Sequence, residues 1–288
     1  MKLMSTSEYT NTERNIPKTL HYCWFSGNTI PDEYKRYLET WKEKCPDYEI
    51  IQWNSDNFNV NENRFSREAY ATKKWAFVTD YARLKILYEH GGIYLDSDVE
   101  VLKKFDNLLS NKFFMGFETD KTLATCVIGA EPHNKIIEEL LKYYDSAKFL
   151  NEDGTLNQTT NVKIITKIIN ESYSKIDEKN KLKRFDNNAV LYPRDYFSPK
   201  DYFSGSINLT ENTYCIHHFG ESWKDDKDVT RGKKVHDIYK RKELKPITPH
   251  ILNRIRHNII VVIANYSLYG TIDTVKFLIT RITKRIHF

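Results

Sequence analysis

The sequence has few of the features that mark disulfide-rich, zinc-binding or membrane-spanning proteins. Its 288 residues include four cysteines, at positions 23, 45, 126 and 215, and no two of them form a CxxC pair. This spacing predicts neither a zinc site nor a disulfide framework, and reduced thiols fit a cytoplasmic protein. There is no run of 18 apolar residues, so no membrane span is predicted. The first fifteen residues lack the charged-then-apolar order of a signal peptide, so we expect no export by that route.

Three motifs of common enzyme classes are also missing. The chain contains no GxxxxGK[ST] run and no GxGxxG run, which excludes the usual phosphate cradles of P-loop and dinucleotide-binding proteins. It contains no GxSxG run either, so the nucleophile elbow of the α/β-hydrolases is not expected. Internal repeats and low-complexity tracts are absent as well. The predicted chemistry must therefore come from another arrangement of side chains.

Positive charge is concentrated at the carboxyl end. The net charge is +5, but residues 224–288 contain 15 Lys and Arg against 6 Asp and Glu, which leaves residues 1–223 at −4. In this segment apolar residues recur at helical spacing from Ile251 to Ile263 and from Val275 to Ile286, and Arg281, Lys284 and Arg285 lie off the second apolar stripe. We expect a basic amphipathic tail over 246–288, which either packs on the catalytic core or lies on an anionic membrane. No groove-reading motif accompanies the charge, so nucleic acid is not a predicted partner.

The most informative segment is the run Ile93–Asp98. Here β-favouring apolar residues lead directly into Asp96 and Asp98, which are separated by one serine. If the chain stays extended, the two carboxylates point the same way at the end of a buried strand. Carboxylate oxygens in such a pair suit Mg²⁺ or Mn²⁺, and a metal held there could bind a diphosphate. A structural role, capping the next segment, is the simpler alternative.

A predicted helix and two glycines precede these acids. Ala76–His90 has a helical pattern, and Gly91-Gly92 then ends the helix and turns into the strand. Asp80 and Arg83 are three residues apart, so they share a face of this helix. In isolation this spacing suggests an exposed ion pair worth a few tenths of a kcal/mol. Because the helix leads to the acids, we expect the pair to bind sugar hydroxyls in the same site.

The rest of the chain alternates between predicted strands and helices. A strand over Thr19–Phe25, a helix over Asp32–Lys44 and a strand over Tyr48–Trp53 open the chain as a β-α-β unit. The alternation continues with a strand over Phe113–Phe117, a charged, exposed connection over Ser172–Arg184 and a late strand at Tyr214–His218. The sequence therefore predicts an α/β fold with a Rossmann-like nucleotide-binding sheet, flanking helices and a C-terminal helical appendage. The expected limits are a flexible arm over 1–15, the domain over 16–245 and the tail over 246–288.

Two further groups of residues are candidates for ligand binding. Trp24 follows the first strand and precedes Ser26-Gly27, so its indole could stack on a nucleobase, although a core tryptophan is an alternative. His217 and His218 end the late strand, and an imidazole there could be a third metal ligand that suits Mn²⁺. The sequence does not choose between the two histidines, and one or both could be structural.

Three blocks of the sequence, Leu20–Gly27, Phe77–Asp98 and Ile216–Trp223, together resemble the glycosyltransferases with a DXD sugar-binding motif, family thirty-two. That family includes bacterial transferases of capsular polysaccharide synthesis, and the catalytic domains of glucosylating toxins are similar in the same blocks. The resemblance extends in order from about Ile16 to Trp223. It implies a GT-A fold, a nucleotide-sugar donor with a UDP-sugar favoured, Mn²⁺ or Mg²⁺, and transfer with retention of anomeric configuration.

The resemblance also implies roles for individual residues. Trp24 would stack on the donor base, Asp80 and Arg83 would hold hydroxyls of the donor sugar and ribose, and Asp96 would face the ribose and the metal. Asp98 is expected to bind the metal directly.

The third block would complete the site. His217 would be the further metal ligand, with His218 as the alternate. Ser222 and Trp223 resemble a mobile loop that contacts the leaving diphosphate. Asn161, placed in a loop before a helix over Val162–Ile169, is a minor candidate for the far side of the sugar.

The leading hypothesis is a cytoplasmic glycosyltransferase that adds a hexose or N-acetylhexosamine to a glycan acceptor, expected to be lipid-linked, in capsular or other surface polysaccharide synthesis. Its basic tail would place it peripherally at the inner face of the plasma membrane. Two alternatives stay open from the residues. One is a phosphatase that uses the Asp-x-Asp pair, although such enzymes place this motif on their first strand. The other is a non-catalytic module that binds nucleotide sugars or glycans.

Overall fold

The computed structural model describes residues 15–173, 180–185, 187–202, 204–220, 234–235, 258–268, 270 and 274. The chain divides into two compact units. The first comprises Met1–Pro199 and Leu209–His218, and the second comprises Lys200–Asn208 and Phe219–Phe288. The predicted arm over 1–15 and the predicted boundary at 245/246 fall almost entirely outside the described residues, so these domain limits stay predictions.

The first unit is built on a large mixed sheet and a small two-stranded sheet. In chain order the strands are β1 (Thr19–Cys23), β2 (Glu49–Trp53), β3 (Gly92–Leu95), β4 (Val99–Val101), β5 (Phe113–Phe117), β6 (Leu123–Ala130), β7 (Lys183–Arg184), β8 (Ala189–Tyr192) and β9 (Cys215–His217). The large sheet has the order β2-β1-β3-β6-β5-β8-β7, and the small sheet pairs β4 with β9.

Strand direction in the large sheet brings several carboxyl ends to one edge. Strand β1 is parallel to β2 and β3, and β5 is parallel to β8, while β6 runs antiparallel to both β3 and β5. The carboxyl ends of β1, β3 and β5 therefore lie at the same edge, which is where ligands bind in open α/β sheets. Every residue of β3, β5 and β6 is buried, as their continuous apolar sequences require.

Five helices accompany these strands in the described part of the first unit. They are α1 (Asp32–Lys44), α2 (Arg64–Ala71), α3 (Trp75–His90), α4 (Lys135–Ser146) and α5 (Asn161–Ser172). Asparagines start two of them: the Asn63 side chain accepts hydrogen bonds from the first backbone N–H groups of α2, and Asn134 does the same for α4. Apolar side chains fill both faces of the sheet, since Tyr94 belongs to one buried cluster and its neighbour Leu95 to the other.

The turn between α3 and β3 requires glycine at both of its positions. Gly91 and Gly92 have φ of +64° and +96°. A Cβ on Gly92 would lie 2.8 Å from both the His21 Nε2 atom and the Thr19 carbonyl oxygen. The glycine pair thus lets α3 end directly against β1 and feeds the chain into β3 at the centre of the sheet.

The predicted α/β architecture, a large sheet with flanking helices, is confirmed. The bounds of α1 and β5 are those the sequence predicts, and α3 begins one residue before its predicted start. One expectation is wrong: Lys183–Arg184, placed in an exposed connection, forms the edge strand β7 against β8. Two charged residues on an outer strand have no apolar alternation to indicate them.

The second unit includes a helical segment over 258–268 in the region where the sequence predicts the first tail helix. Most of the second predicted tail helix lies outside the described residues. No helix in the described ranges is both long and apolar enough to cross a membrane.

Candidate active site

Asp96 and Asp98 lie in a tight turn that connects the two sheets. Strand β3 ends at Leu95 and β4 begins at Val99, and the Val99 N–H donates to the Asp96 carbonyl oxygen at 3.0 Å. The Asp96 N–H donates to the Cys126 carbonyl on the neighbouring strand β6 at 2.9 Å. The expected extended course through the acids is therefore wrong, because the chain must leave one sheet and enter another here. The turn nevertheless keeps the two carboxylates together.

His217 joins these acids from β9. Its backbone pairs with Val99 at the start of β4, and its Nε2 atom lies 3.4 Å from Oδ2 of Asp98. One ligand atom from each of Asp96, Asp98 and His217 lies within 4.8 Å of the other two. Burial lowers the pKa of His217, but the charges of Asp98 and Cys126 and the hydrogen bonds with both together outweigh burial, so the pKa lies well above its usual value.

The three side chains have the chemistry of a divalent-cation site. Carboxylates suit Mg²⁺ and Mn²⁺, and an imidazole among them suits Mn²⁺. The residues thus fit the cation expected from the sequence, with Asp96, Asp98 and His217 as the groups that would hold it. When bound, such an ion supplies positive charge for the oxygens of a leaving diphosphate.

His218 lies outside this three-residue cluster. Its Nε2 atom is 2.8 Å from a carboxylate oxygen of Glu100, and its ring stacks on Tyr37 with centroids 4.4 Å apart and planes 7° from parallel. Its backbone N–H donates to the Asp98 carbonyl oxygen at 3.0 Å. The structure therefore places His217 with the acids, and it places His218 as a support for the turn.

Arg83 connects the acids to the preceding helix. Its Nη2 atom lies 3.1 Å from Asp80, its Nη1 atom lies 3.4 Å from Asp96, and Nη1 also donates to the Thr125 carbonyl at 2.7 Å. The guanidinium is almost fully buried, so the simple alternative of an exposed i,i+3 ion pair is wrong. Burial opposes its charge, but Asp96 and Asp80 raise the pKa of Arg83 above its ordinary value.

Asp80 is buried on the same helix α3. Burial raises its pKa, the Arg83 charge opposes this and the Asp96 charge adds to it. Together these effects bring the pKa of Asp80 to about 6. The Asn161 side chain donates to the Asp80 carbonyl oxygen at 3.3 Å. Asn161 is the first residue of α5 and not part of a preceding loop, and Tyr144 donates to its side-chain oxygen at 3.4 Å. It therefore braces the helix that presents Asp80.

Tyr94 is a site residue that the sequence analysis missed. Its hydroxyl donates to Oδ1 of Asp96 at 2.8 Å, and the Arg83 guanidinium lies over its ring at 4.7 Å from the centroid. Tyr94 is two residues before Asp96, so strand alternation could have predicted that both face the same side.

Glu118 was also missed. It follows the last residue of β5, at the same sheet edge as the acids, and burial raises its pKa. The charges of His217 and Arg194 oppose that shift, and the Asp96 charge adds to it. Glu118 thus adds a further carboxyl group close to the three-residue cluster of Asp96, Asp98 and His217. No local pattern links a residue after β5 to one in β9.

Trp24 stands just beyond β1, also at this edge. It is half-buried, and its indole N–H donates to the Asn28 carbonyl at 2.7 Å, which fixes the ring on its own loop. The Tyr34 ring packs against it edge-on, with centroids 6.0 Å apart. Ser222 and Trp223, predicted to contact the diphosphate, lie outside the described residues.

Comparisons with known proteins agree with this chemistry. Residues 31–115, which include α1, α3 and both acids, match a family described as glycosyltransferase sugar-binding region containing DXD motif. An uncharacterized glycosyltransferase of Acanthamoeba polyphaga mimivirus is 29% identical over 198 residues, covering 65% of this chain and 76% of that protein. Residues 31–115 therefore contain a glycosyltransferase sugar-binding region with a DXD motif. Inositol phosphoceramide mannosyltransferase 3 of Schizosaccharomyces pombe is 33% identical over 113 residues, covering 35% of this chain and 29% of the yeast protein.

Solved glycosyltransferases are similar at lower identity. The PaToxG glycosyltransferase has 17% identity and a TM-score of 0.42, and the similarity covers 54% of this chain and 68% of that chain. The galactosyltransferase LgtC has 14% identity and a TM-score of 0.37, and the similarity covers 82% of this chain and 99% of LgtC. This chain spans three quarters of its viral relative but less than a third of the fungal one.

Proposed function

We propose that this protein transfers a hexose or N-acetylhexosamine from a nucleotide sugar to a glycan acceptor, with Mn²⁺ or Mg²⁺ bound by Asp96, Asp98 and His217. A UDP-sugar is the favoured donor. The observation that supports this most directly is that His217 of β9 meets both carboxylates of the β3–β4 turn beside the buried Asp80–Arg83 pair. A donor diphosphate needs positive charge where its oxygens become a leaving group, and a sugar needs paired polar groups for its hydroxyls.

We propose the following roles for the residues around the sugar. Asp80 and Arg83 bind hydroxyls of the donor sugar and ribose, and the bonds from Arg83 to Asp80, Asp96 and Thr125 hold the guanidinium in one orientation. Tyr94 and Arg83 orient the Asp96 carboxylate. Transfer retains the anomeric configuration by attack on the same face, and the departing phosphate oxygen accepts the proton of the acceptor hydroxyl. Retention follows from the family resemblance.

Donor turnover tests the catalytic part of the proposal. Asp98→Ala should lower both donor hydrolysis and transfer by roughly 100-fold or more, because it removes a metal ligand from the site of charge development. Asp153→Ala is a matched control, since this acid lies in an exposed loop, where its carboxylate accepts hydrogen bonds from Thr155. The products identify the class: nucleoside diphosphate and sugar indicate a transferase, inorganic phosphate a phosphatase, and no product a binding module. Full activity of Asp98→Ala would refute the metal assignment.

We propose further that the acceptor is lipid-linked, that it belongs to capsular or other surface polysaccharide synthesis, and that the protein acts peripherally at the inner face of the plasma membrane. Two observations favour a membrane surface. The segment 224–288 has a net charge of +9. On the helix over 258–268, Ile259, Ile263 and Tyr266 are each more than half exposed and recur at helical spacing, while Ile260 and Ala264 are buried. The name of the yeast relative, an inositol phosphoceramide mannosyltransferase, also denotes a lipid acceptor for that protein.

Vesicle flotation of the full chain tests this part separately. The wild type should float with anionic vesicles and not with neutral ones, and binding should weaken as salt rises. The double variant Ile259→Glu/Ile263→Glu should lose most flotation, because it places two charges on the exposed apolar stripe. Leu209→Glu is the control, since Leu209 is equally exposed but lies in the first unit. Equal binding to neutral vesicles, or no effect of the double variant, would contradict membrane docking.

A further inference from the structure

Tyr34 lies between the two ends of the site that a nucleotide sugar must span. It is the third residue of α1, and its ring packs at 90° to Trp24 with centroids 6.0 Å apart. Burial raises the pKa of its phenol, and the Asp98 charge, followed by Glu33 and Asp96, raises it further.

Tyr34 is the first member of a row of rings that lines this side of the site. Its ring stacks on Tyr37 at 6.3 Å, and Tyr37 stacks in turn on His218 at 4.4 Å. The Tyr37 hydroxyl donates to Glu33 at 2.9 Å, and the His218 ring nitrogen bonds with Glu100 at 2.8 Å. Tyr37 and His218 are thus held by carboxylates that lie outside the three-residue cluster.

The Tyr34 hydroxyl differs from its neighbours in the row. Within the described residues, no group forms a hydrogen bond with it, although its ring is partly buried and fixed on two sides by Trp24 and Tyr37. A preorganised phenol with hydrogen-bonding capacity beside a ligand site is a typical polar contact for a bound ligand.

We propose that Tyr34 forms one wall of the nucleoside-binding part of the donor site, where it contacts the base and ribose of a nucleoside diphosphate. This inference rests on the proposed function, which puts the base at Trp24 and the diphosphate at Asp96, Asp98 and His217. In a nucleoside diphosphate the ribose lies between base and phosphates. Tyr34 packs against Trp24, and on its other side the rings of Tyr37 and His218 connect it to the Asp98 carbonyl, which accepts from the His218 N–H. Its contact with the nucleoside is independent of the sugar that is transferred.

Calorimetric titration of the full chain in excess Mn²⁺ tests the assignment, with UDP, GDP and inorganic pyrophosphate as probes. Whichever of UDP and GDP the wild type binds more tightly is the reference nucleotide. Tyr34→Ala should lower the affinity for it by about tenfold or more, the loss expected when one aromatic contact with a base is removed. Pyrophosphate lacks base and ribose, so its affinity should change by less than about twofold. Tyr34→Phe keeps the ring but loses the hydroxyl, so its nucleotide affinity should lie between those of wild type and Tyr34→Ala.

Tyr70→Ala is the matched control, because Tyr70 is also a half-buried helical tyrosine packed edge-on against a tryptophan, Trp75, in a different part of the unit. It should leave all three affinities unchanged. If Tyr34→Ala lowers the affinity for pyrophosphate as much as that for the nucleotide, or lowers neither affinity, the nucleoside assignment is wrong. Should Tyr34→Ala melt at a much lower temperature than wild type, Tyr34→Leu, which keeps the apolar bulk, replaces it in the same titrations. A wild type that binds pyrophosphate but neither nucleotide would overturn the proposed function itself, and the inference with it.

Discussion

The indole N–H of Trp53 donates a hydrogen bond to Nδ1 of His21 at 3.1 Å, and this contact determines the tautomer of a fully buried histidine. Since Nδ1 accepts, the proton of the neutral ring is on Nε2, which donates to the Gly91 carbonyl at 2.9 Å. The same carbonyl belongs to the turn that ends α3. The bond from Trp53, which ties β1 to β2, therefore forms only while the His21 ring is neutral, whereas Nε2 ties β1 to the entrance of β3 in either state.

We expect this histidine to make stability depend on pH. Burial lowers its pKa to about 4, with a small opposing effect of the Gly91 carbonyl. Between pH 6.5 and 4 the unfolded chain binds the proton and the folded chain does not, so the free energy of unfolding should fall as pH falls through this window. The total loss is about 3 kcal/mol. Urea unfolding at a series of pH values measures it, and His21→Gln should remove this part of the slope. An unchanged slope in the variant would contradict the assignment.

The glycine turn allows a second stability prediction. Gly92→Ala should destabilise the protein by about 2 kcal/mol or more, because it forces a side chain into a left-handed backbone and against the His21 ring and Thr19 carbonyl. Gly154→Ala is the control: its φ is +80°, but a Cβ there has no atom within 4 Å. The difference between the two unfolding free energies isolates the steric contact. Similar values for both variants would show that backbone strain alone matters.

Local patterns in the sequence predict much of the fold. The helical spacing over Asp32–Lys44 and the apolar run Phe113–Phe117 predict α1 and β5 with the bounds the structure shows, because these elements alternate clearly or are wholly buried. The glycine pair likewise marks the end of α3. The edge strand β7 could not be predicted, because only its pairing with β8 makes Lys183–Arg184 a strand.

The site was predictable in its parts near Asp96 and Asp98 but not across the sheet. Asp80 and Arg83 precede the acids on one helix, and their burial could be expected only from context. The choice between His217 and His218 depends on strand register, because neighbouring residues point to opposite faces and a shift of one exchanges them. Glu118 follows a different strand, so only the order of strands in the sheet brings it near Asp96.

Removal of Arg83 should be costly because it leaves buried carboxylates without their partner. Arg83→Met is expected to lower the free energy of unfolding by about 3 kcal/mol, the usual cost of breaking a buried ion pair. Adding Asp80→Asn should recover part of that loss, since it removes one of the uncompensated charges. Urea unfolding of both variants at pH 8, where Asp80 is ionised, measures the effect. If the double variant is no more stable than Arg83→Met, charge burial is not the cause.

Binding of Mn²⁺ should distinguish the two adjacent histidines. His217→Ala removes a side chain whose ligand atom lies within 4.8 Å of those of Asp96 and Asp98, so the affinity should fall by about tenfold or more. His218→Ala removes a ring that stacks on Tyr37 and bonds with Glu100, and it keeps the backbone N–H that holds the Asp98 carbonyl. Its affinity for Mn²⁺ should therefore stay close to that of wild type. The electron paramagnetic resonance signal of free Mn²⁺ in a titration gives both constants. A large loss in His218→Ala with wild-type affinity in His217→Ala would reverse the assignment, because the ligand would then be the ring that the structure turns away from the acids.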